Sequence, residues 1–128
     1  MDIDIEKPSE SETSAHLAVE RKVIGANVGA NGYTTLKQAD ELGRLLCLRR
    51  DDRLLDIGAG RGWPGLYLAE KSGCEVALLE ISDADLRRSV RRAEEANLIA
   101  RCSFFRGTGS ALPFRSRRFD ALIHADVL

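Results

Sequence analysis

Apolar residues follow two different periods along this chain from residue 53 onward. Short continuous apolar runs, typical of buried strands, alternate with stretches in which apolar residues recur every three or four positions, as on one face of a helix. The predicted order is strand, helix, strand, helix, strand, loop, strand, over Arg53–Ile57, Pro64–Lys71, Glu75–Glu80, Asp83–Asn97, Ser103–Arg106 and Asp120–His124. Because strands that alternate with helices form parallel sheets with right-handed crossovers, this order predicts an α/β fold.

The part of the chain before the first strand is less regular. Residues 1–12 mix acids, serines and a proline with few apolar positions, which predicts a disordered acidic tail. Uneven apolar spacing over 13–24 predicts a short helix, and the glycines and asparagines of 25–32 predict a loop. A second helix is predicted to begin at Thr35, because Gln38 completes a capping box. Its apolar stripe would consist of Leu36, Ala39, Leu42, Leu45 and Leu46.

The first predicted strand runs directly into a glycine-rich turn. The sequence Leu-Leu-Asp-Ile-Gly-Ala-Gly-Arg-Gly over 54–62 places glycine at Gly58, Gly60 and Gly62. Glycine lets the backbone turn tightly and approach a bound molecule, because no Cβ stands in the way. Pro64 suits the first turn of the following helix, whose amides and positive dipole end point at the turn. The turn therefore predicts a site for a small polar or anionic ligand.

The spacing of this turn argues against a bound dinucleotide. A dinucleotide site uses the pattern G-x-G-x-x-G or A, in which the last small residue lets the helix pack close beneath the pyrophosphate. Trp63, the only tryptophan of the chain, occupies that position here. A nicotinamide-dependent oxidoreductase is therefore disfavoured as the function of this chain, and it ranks third among the functional hypotheses.

Two further motifs follow the turn Asp56-x-Gly58-x-Gly60-x-Gly62. An apolar run closes on Glu80, about 20 residues past the turn, as an adenosine-binding βαβ unit requires. Later, Ala111-Leu112-Pro113-Phe114 precedes Phe119-Asp120-Ala121-Leu122-Ile123. In order and spacing the three motifs resemble those of the class I S-adenosylmethionine-dependent methyltransferases that act on small molecules. The resemblance covers Tyr33 to Leu128 and implies a Rossmann-like parallel sheet of order 3-2-1-4, with helices on both faces and additional amino-terminal helices.

The same resemblance implies which residues bind S-adenosylmethionine. The glycine turn would lie under the methionine and ribose portions, and Glu80 would accept two hydrogen bonds from the ribose diol. Thr108 stands where relatives usually carry an Asp that binds the adenine amino group, and a hydroxyl accepts that bond more weakly. Asp56 has a second interpretation, in which it holds the turn by accepting backbone N–H bonds. The predicted cofactor-binding residues are Asp56, Gly58, Ala59, Gly60, Gly62, Glu80, Ile81, Thr108, Gly109 and Ser110.

Candidate catalytic and acceptor-binding residues lie at the two ends of this region. His124 and Asp126 follow the fourth strand, near the expected methyl group, and a histidine titrates in the range needed to take a proton from the acceptor. The alternative is that both are strand-end residues with no catalytic role. Tyr33 and Thr34 precede a helix that in the family covers the cofactor or the acceptor, so they are candidate substrate-lining residues. For Tyr33 the alternative is packing at the entry to that helix.

Composition and charge narrow the range of partners. With 44% hydrophobic residues, 30% charged residues and a net charge of −1, the chain is an ordinary globular sequence with no overall attraction to nucleic acid or an anionic membrane. No apolar stretch is long enough to span a bilayer, and no signal peptide is recognisable. Cys47, Cys74 and Cys102 are odd in number and widely spaced, which predicts three buried reduced thiols in a cytoplasmic protein and no disulfide or metal site.

Arginines cluster in the helix predicted over 83–97. Leu86, Val90 and Ala93 mark its buried stripe, so the arginines are interpreted as its solvated face. Glu94 and Glu95 would pair with Arg91, and the alternative is a basic docking surface. The arginines of this cluster are Arg87, Arg88, Arg91 and Arg92.

The fourth strand is the last element of the sequence, whereas family members continue with further strands. We therefore expect residues 13–128 to form a partial S-adenosylmethionine-binding domain that lacks the carboxy-terminal half of the fold. The strand-four edge would then be open to a second copy of the chain or to a completing partner. The preferred function is methyl transfer from S-adenosylmethionine to a small molecule. The alternative function is a non-catalytic module that binds this cofactor or assists assembly.

Overall fold

A computed structural model describes residues 18–25 and 34–125 of the chain. The predicted tail over 1–12, the first part of the helix predicted over 13–24, and nearly all of the loop predicted over 25–32 lie outside these residues, as do Tyr33 and Asp126. The elements are helix α1, described over 18–24, then α2 (Leu36–Leu46), β1 (Arg53–Ile57), α3 (Gly65–Ser72), β2 (Glu75–Glu80), α4 (Asp83–Glu95), a 3₁₀ turn (Ile99–Arg101), β3 (Cys102–Arg106) and β4 (Ala121–Ile123).

The four strands form one parallel sheet in the order β3-β2-β1-β4, which confirms the predicted order. Leu55 of β1 lies opposite Ala77 on one side and Leu122 on the other. Strand β4 is shorter than predicted, but its pairing begins one residue earlier through Asp120, whose amide donates to the Arg53 carbonyl at 2.9 Å. The Asp120 carboxylate in turn accepts from the Arg53 amide at 2.8 Å.

Helices α3 and α4 begin and end close to the predicted positions. Helix α3 begins at Gly65, and Pro64 precedes it with φ −91° and ψ 3°. Helix α4 ends at Glu95 instead of Asn97, because Asn97 turns into the left-handed region with φ 55°. The predicted capping box of α2 is present, with Thr35 Oγ1 accepting from the Gln38 amide at 3.1 Å and Gln38 Oε1 accepting from the Thr35 amide at 2.9 Å.

The two faces of the sheet are covered in different ways. On one face α3 and α4 pack over buried strand residues that include Leu54, Val76 and Leu78. The opposite face, with Leu55 and Leu79, is covered by aromatic side chains from β3 and the β3–β4 connection. We predicted helices on both faces, but in the described residues the packed helices lie on the first face only. The connection from β3 to β4, residues 107–120, crosses this face without forming a helix.

Three aromatic side chains carry that second layer. Phe114 packs edge-to-face against Phe105, with ring centroids 4.8 Å apart, and against Phe119, with centroids 4.9 Å apart. These geometries are the favourable ones for aromatic pairs, and each pair contributes beyond its buried area. Phe114 therefore anchors the β3–β4 connection to the sheet.

Three expectations about burial were wrong. Leu45, which we placed in the apolar stripe of α2, is 63% exposed, because α2 contacts α3 through Ala39 and its neighbours on another side. Cys47 is exposed because it is the left-handed cap residue that ends α2. Cys74 is buried, Cys102 is half-buried, and all three cysteines are free.

The third correction concerns the arginines of α4. Arg91 is exposed and pairs with Glu95 at 3.3 Å, as predicted for an i+4 pair. Arg92 is half-buried, and burial lowers the pKa of its guanidinium, with Glu20 of α1 and Glu95 opposing that shift. Arg92 therefore does not belong to the solvated face, because the sequence pattern of α4 alone does not reveal that α1 lies beside it.

We expect Phe114→Ala to lower the free energy of unfolding by about 2–4 kcal/mol, because it removes both aromatic contacts and opens a space over the sheet. Leu112→Ala in the same connection is the matched control, since Leu112 is 44% exposed. Its effect should stay below about 0.5 kcal/mol. Urea unfolding of the full chain measures both values, and equal effects of the two substitutions would contradict the anchoring role of Phe114.

Candidate functional site

The turn between β1 and α3 depends on a left-handed backbone. Gly58, Gly60 and Gly62 have φ values of 66°, 56° and 96°, which side chains with a Cβ rarely adopt. Two hydrogen bonds fix the turn: the Ala59 amide donates to the Leu79 carbonyl at 3.0 Å, and the Gly62 amide donates to the Ala59 carbonyl at 2.9 Å. The turn is therefore tied to the end of β2 as well as to β1.

Asp56 lies beneath this turn and the first residue of α3. Its side chain is fully buried, and its Oδ2 atom has no hydrogen-bond partner among the described residues. A Cβ on Gly65 would collide with that oxygen, so only glycine leaves room for the carboxyl group at the start of the helix. Burial raises the pKa of Asp56 well above its ordinary 3.8, a backbone hydrogen bond from Gly65 opposes the shift, and the charge of Glu80 adds to it.

Glu80 ends β2 on the far side of the turn. Its Oε2 atom accepts from the Ile81 amide at 3.0 Å, which fixes the orientation of the carboxylate. The Glu80 carbonyl accepts from the Gly107 amide at 3.2 Å, and the Arg106 guanidinium donates to the Ile81 carbonyl at 3.3 Å. The ends of β2 and β3 are therefore held together at this edge of the sheet.

The residues after β3 supply a pair of hydroxyl groups. Thr108 Oγ1 and Ser110 Oγ lie 2.7 Å apart, so one donates to the other. A Cβ on Gly109 would lie 3.1 Å from a side-chain carbon of Ile57, and one on Gly107 would lie 3.1 Å from Leu79. Glycine at these two positions allows the segment to approach the sheet closely.

A cavity of about 410 Å³ opens where these segments meet, at the carboxyl ends of the strands. This volume lies in the range of small-molecule sites, and the carboxyl edge is where parallel sheets bind their ligands. A second cavity of about 360 Å³ lies at the opposite, amino end of the strands and is lined by Arg53, Arg101 and Arg118. The lining of the first cavity is Ile57, Gly58, Glu80, Ile81, Gly107, Thr108, Gly109, Ser110 and His124.

The cavity brings together many, but not all, of the predicted site residues. Its lining does not include Asp56, which lies beneath Gly65, and it does not include Ala59, Gly60 or Gly62. Ile57 and Gly107 line the cavity and were not predicted. Both could have been predicted from their position in the sequence, because each directly adjoins a predicted site residue or strand end.

Thr34 occupies a different place from the one expected of a substrate-lining residue. It is buried, and its backbone carbonyl accepts from the Trp63 indole at 2.7 Å. Trp63 also packs against Tyr67, with ring centroids 5.2 Å apart, and Ile24 and Ala39 complete this cluster. Trp63 stands where a dinucleotide site has a small residue. Its indole here joins the segment before α2 to the glycine turn.

Tyr67 extends the same cluster to α2. Its hydroxyl donates to the Asp40 carboxylate. Burial raises the pKa of Tyr67 to about 12, and the hydrogen bond to Asp40 adds to the shift, so the hydroxyl stays protonated at neutral pH. The amino-terminal segment is thus fixed to the helix that follows the turn.

Comparison with known proteins adds the family. A family model described as a methyltransferase domain matches residues 54–128, which include the glycine turn, Glu80 and the whole sheet after Arg53. The chain belongs to the S-adenosylmethionine-dependent methyltransferases. The family resemblance read from the three sequence motifs is therefore confirmed.

Individual methyltransferases match over the same region. A 27-O-demethylrifamycin SV methyltransferase of Amycolatopsis mediterranei is 34% identical over 88 residues, which are 69% of this chain and 32% of that protein. A sarcosine/dimethylglycine N-methyltransferase of Aphanothece halophytica is 32% identical over 74 residues, 58% of this chain and 27% of that protein. The chain thus spans about a third or less of the length of these curated relatives.

Solved methyltransferase structures share the fold. Geranyl diphosphate methyltransferase in complex with GPP and sinefungin superposes with a TM-score of 0.64 at 26% identity, over 69% of this chain and 33% of that one. The same enzyme in complex with S-adenosylmethionine superposes over 93% of this chain and 44% of that one, with a TM-score of 0.69 at 22% identity.

The buried Asp56 predicts a distinctive dependence of stability on pH. Between pH 3.8 and its raised pKa the folded chain binds more protons than the unfolded chain, so the contribution of Asp56 to stability falls as pH rises through this window. Asp56→Asn has no such proton and serves as the reference. We expect the unfolding free energy of the wild type, minus that of this variant, to fall by about 1.4 kcal/mol for each unit by which the pKa is raised.

Denaturant unfolding of both proteins at a series of pH values measures this difference, and subtraction removes the contributions of titrating groups that do not interact with Asp56. A difference that is independent of pH, or that grows as pH rises, would show that the Asp56 carboxyl is not held in its protonated form.

Proposed function

We propose that this chain binds S-adenosylmethionine in the cavity at the carboxyl ends of the strands and transfers its methyl group to a small-molecule acceptor. One observation carries the proposal: a glycine turn with a left-handed backbone and the Glu80 carboxylate meet at a single cavity. Family membership gives the cofactor class, and the cavity has chemical groups that suit each portion of it.

The residues around the cavity suit the sugar and the base in different ways. Because Glu80 Oε2 is occupied by the Ile81 amide, we assign the acceptance of ribose hydroxyls chiefly to Oε1. Thr108 and Ser110 would contact the adenine edge with hydroxyl groups, and Ile81, which is largely exposed beside Glu80, would cover the face of the base. Gly58 would let the ligand approach the backbone of the turn. When bound, the cofactor supplies a methyl carbon on a positively charged sulfur.

Asp56 has a positioning role in this proposal. It is buried under Gly65 and is absent from the cavity lining, so it supports the glycine turn and the start of α3 instead of contacting the ligand. Ala59, Gly60 and Gly62 act with it by shaping the turn. This assignment favours the second of the two interpretations of Asp56.

His124 remains the proposed proton acceptor. It lies in the cavity wall directly after β4, where an acceptor molecule would meet the methyl group, and a neutral imidazole can take a proton from a hydroxyl or amine. Asp126 is proposed as a second group of the same kind, and Tyr33 with Thr34 as part of the acceptor-side cover. The buried Thr34 would act there through its contact with Trp63.

The class of acceptor is proposed from the relatives. Their names state that they methylate demethylrifamycin SV, sterols, and sarcosine or dimethylglycine, all of which are small molecules. The net charge of −1 also offers no general attraction for a nucleic acid. We therefore propose a small-molecule acceptor for this chain.

Two properties of the whole protein are also proposed. No helix within 18–25 and 34–125 has the length and hydropathy of a membrane span. The free cysteines agree with a reducing compartment, and we propose the cytoplasm. Leu122 on edge strand β4 is 50% exposed, and we propose this edge as the surface for a second copy or a completing partner. Sedimentation of the chain tests the association.

Glu80→Gln should weaken the binding of S-adenosylhomocysteine about tenfold or more, because a charged acceptor of ribose hydrogen bonds becomes a neutral amide. Glu75→Gln is the matched control, since Glu75 begins the same strand and forms only an exposed pair with Arg53 at 3.7 Å. The affinity of Glu75→Gln for S-adenosylhomocysteine should remain within about twofold of the wild-type value. Isothermal titration calorimetry measures all three proteins.

The same titration distinguishes the competing functions. Tighter binding of NAD than of S-adenosylhomocysteine would restore the oxidoreductase hypothesis. The non-catalytic module would be favoured if the chain binds S-adenosylhomocysteine but transfers no methyl group. Methyl transfer is measured from labelled S-adenosylmethionine to a panel of hydroxylated and amino compounds. Equal losses in Glu80→Gln and Glu75→Gln would remove Glu80 from the site.

A further inference from the structure

Arg61 is the one charged residue between Gly58 and Gly62, and its side chain is only partly exposed. Its Nε atom lies 3.5 Å from Asp85 Oδ1, and the two side chains are only 28% and 20% exposed. The pair crosses from the turn between β1 and α3 to helix α4. Partial burial reduces the screening of this pair by water and salt.

Asp85 is itself held firmly. It lies in the first turn of α4, its amide donates to the Ser82 side chain at 3.3 Å, and its carboxylate also accepts from Arg88 at 3.2 Å. Ser82 is two residues beyond Glu80 along the chain. The Arg61–Asp85 pair therefore joins the two segments that form opposite sides of the cavity, the glycine turn and the segment after β2.

The positive charges of Arg88 and Arg92 on α4 increase the effect of the Arg61–Asp85 pair on the turn. Arg88 shares Asp85, and Arg92 lies near enough to Arg61 that their repulsion contributes to lowering the pKa of Arg92, after the larger effect of burial. Glu20 of α1 opposes this shift. Without the Asp85 charge, Arg61 would lose its paired carboxylate, while the repulsion between Arg61 and Arg92 would remain.

The backbone beside Arg61 has little freedom to adjust. A Cβ on Gly62 would lie 3.0 Å or less from Leu66 side-chain atoms and 3.3 Å from the Ser89 Cβ of α4, so the turn already contacts that helix closely. The turn and α4 therefore form one packed unit, and the Arg61–Asp85 pair acts across their contact. A change in that pair alters the force on the turn, which carries the carbonyl and amide groups.

We infer that Asp85 is a positioning residue, which holds Arg61 and thereby keeps the glycine turn at a fixed distance from Glu80. Asp85 does not line the cavity and would not touch the ligand. The effect on cofactor affinity rests on the proposed function. The effect on the turn itself does not.

The test uses Asp85→Asn and Arg61→Gln in the full chain, singly and together, with S-adenosylhomocysteine as the calorimetric probe. Each single variant should bind about fivefold more weakly than the wild type, and the double variant no more weakly than the weaker single variant, because all three lose the same Arg61–Asp85 interaction. Asp85→Glu should recover most of the affinity. Glu95→Gln, which removes the exposed Arg91–Glu95 pair from the same helix, is the control and should bind like the wild type.

Hydrogen exchange of the ligand-free proteins tests the inference without the cofactor. The Ala59 and Gly62 amides, which donate within the turn, should exchange about fivefold faster in Asp85→Asn than in the wild type or in Glu95→Gln. Unchanged exchange in Asp85→Asn overturns the inference. So do additive losses of affinity in the double variant, or a loss in Arg61→Gln far larger than in Asp85→Asn, which would mean that Arg61 contacts the ligand directly.

The two proposals can fail separately. A folded wild type that does not bind S-adenosylhomocysteine refutes the proposed function, and the exchange rates still decide the role of Asp85. A wild type that binds, together with an Asp85→Asn variant that matches Glu95→Gln in both measurements, refutes the positioning role alone.

Discussion

The site depends on one steric constraint, the passage of the backbone from β1 to α3 over a buried carboxyl group. Asp56 fills the space under the turn so completely that a single methyl group at Gly65 would collide with it. The three glycines of the turn adopt positive φ where the backbone passes above this carboxyl and into the helix. The same path leaves one side of the turn facing the cavity and the other side facing α4.

Contacts with several neighbouring elements hold the turn in this conformation. The turn hydrogen-bonds to the end of β2 through Leu79, contacts α4 at Ser89, and is joined by Arg61 to Asp85. On its outer side Trp63 ties it to the segment before α2. A buried carboxyl group with an unpartnered oxygen is costly, so these packed contacts must supply the stability that Asp56 removes. Such local cost at a ligand site is a common feature of binding proteins.

The sheet positions two chemically distinct parts of the cavity, the Glu80 carboxylate and the hydroxyl groups of Thr108 and Ser110. Because all four strands are parallel, Ile57, Glu80, Arg106 and Ile123 end at one edge, and the segments that follow them converge there. Helices cover one face of the sheet and the Phe114 cluster covers the other. The cluster also holds the β3–β4 connection in place, so the Thr108 and Ser110 hydroxyls reach the same cavity as Glu80.

The sequence by itself determined the element order and the identity of the turn, because these follow from local signals: apolar period, glycine spacing and a capping box. It also indicated the family and the strand order, through the resemblance of its three motifs to those of known methyltransferases. It did not determine which face of each element would be covered. The exposure of Leu45, the half-burial of Arg92, the aromatic layer in place of a helix and the indole bond from Trp63 to Thr34 all depend on neighbours distant in sequence. The same holds for Asp56, since local spacing marks a residue as part of a motif, whereas only three-dimensional packing decides whether its side chain meets a ligand or supports the backbone that does.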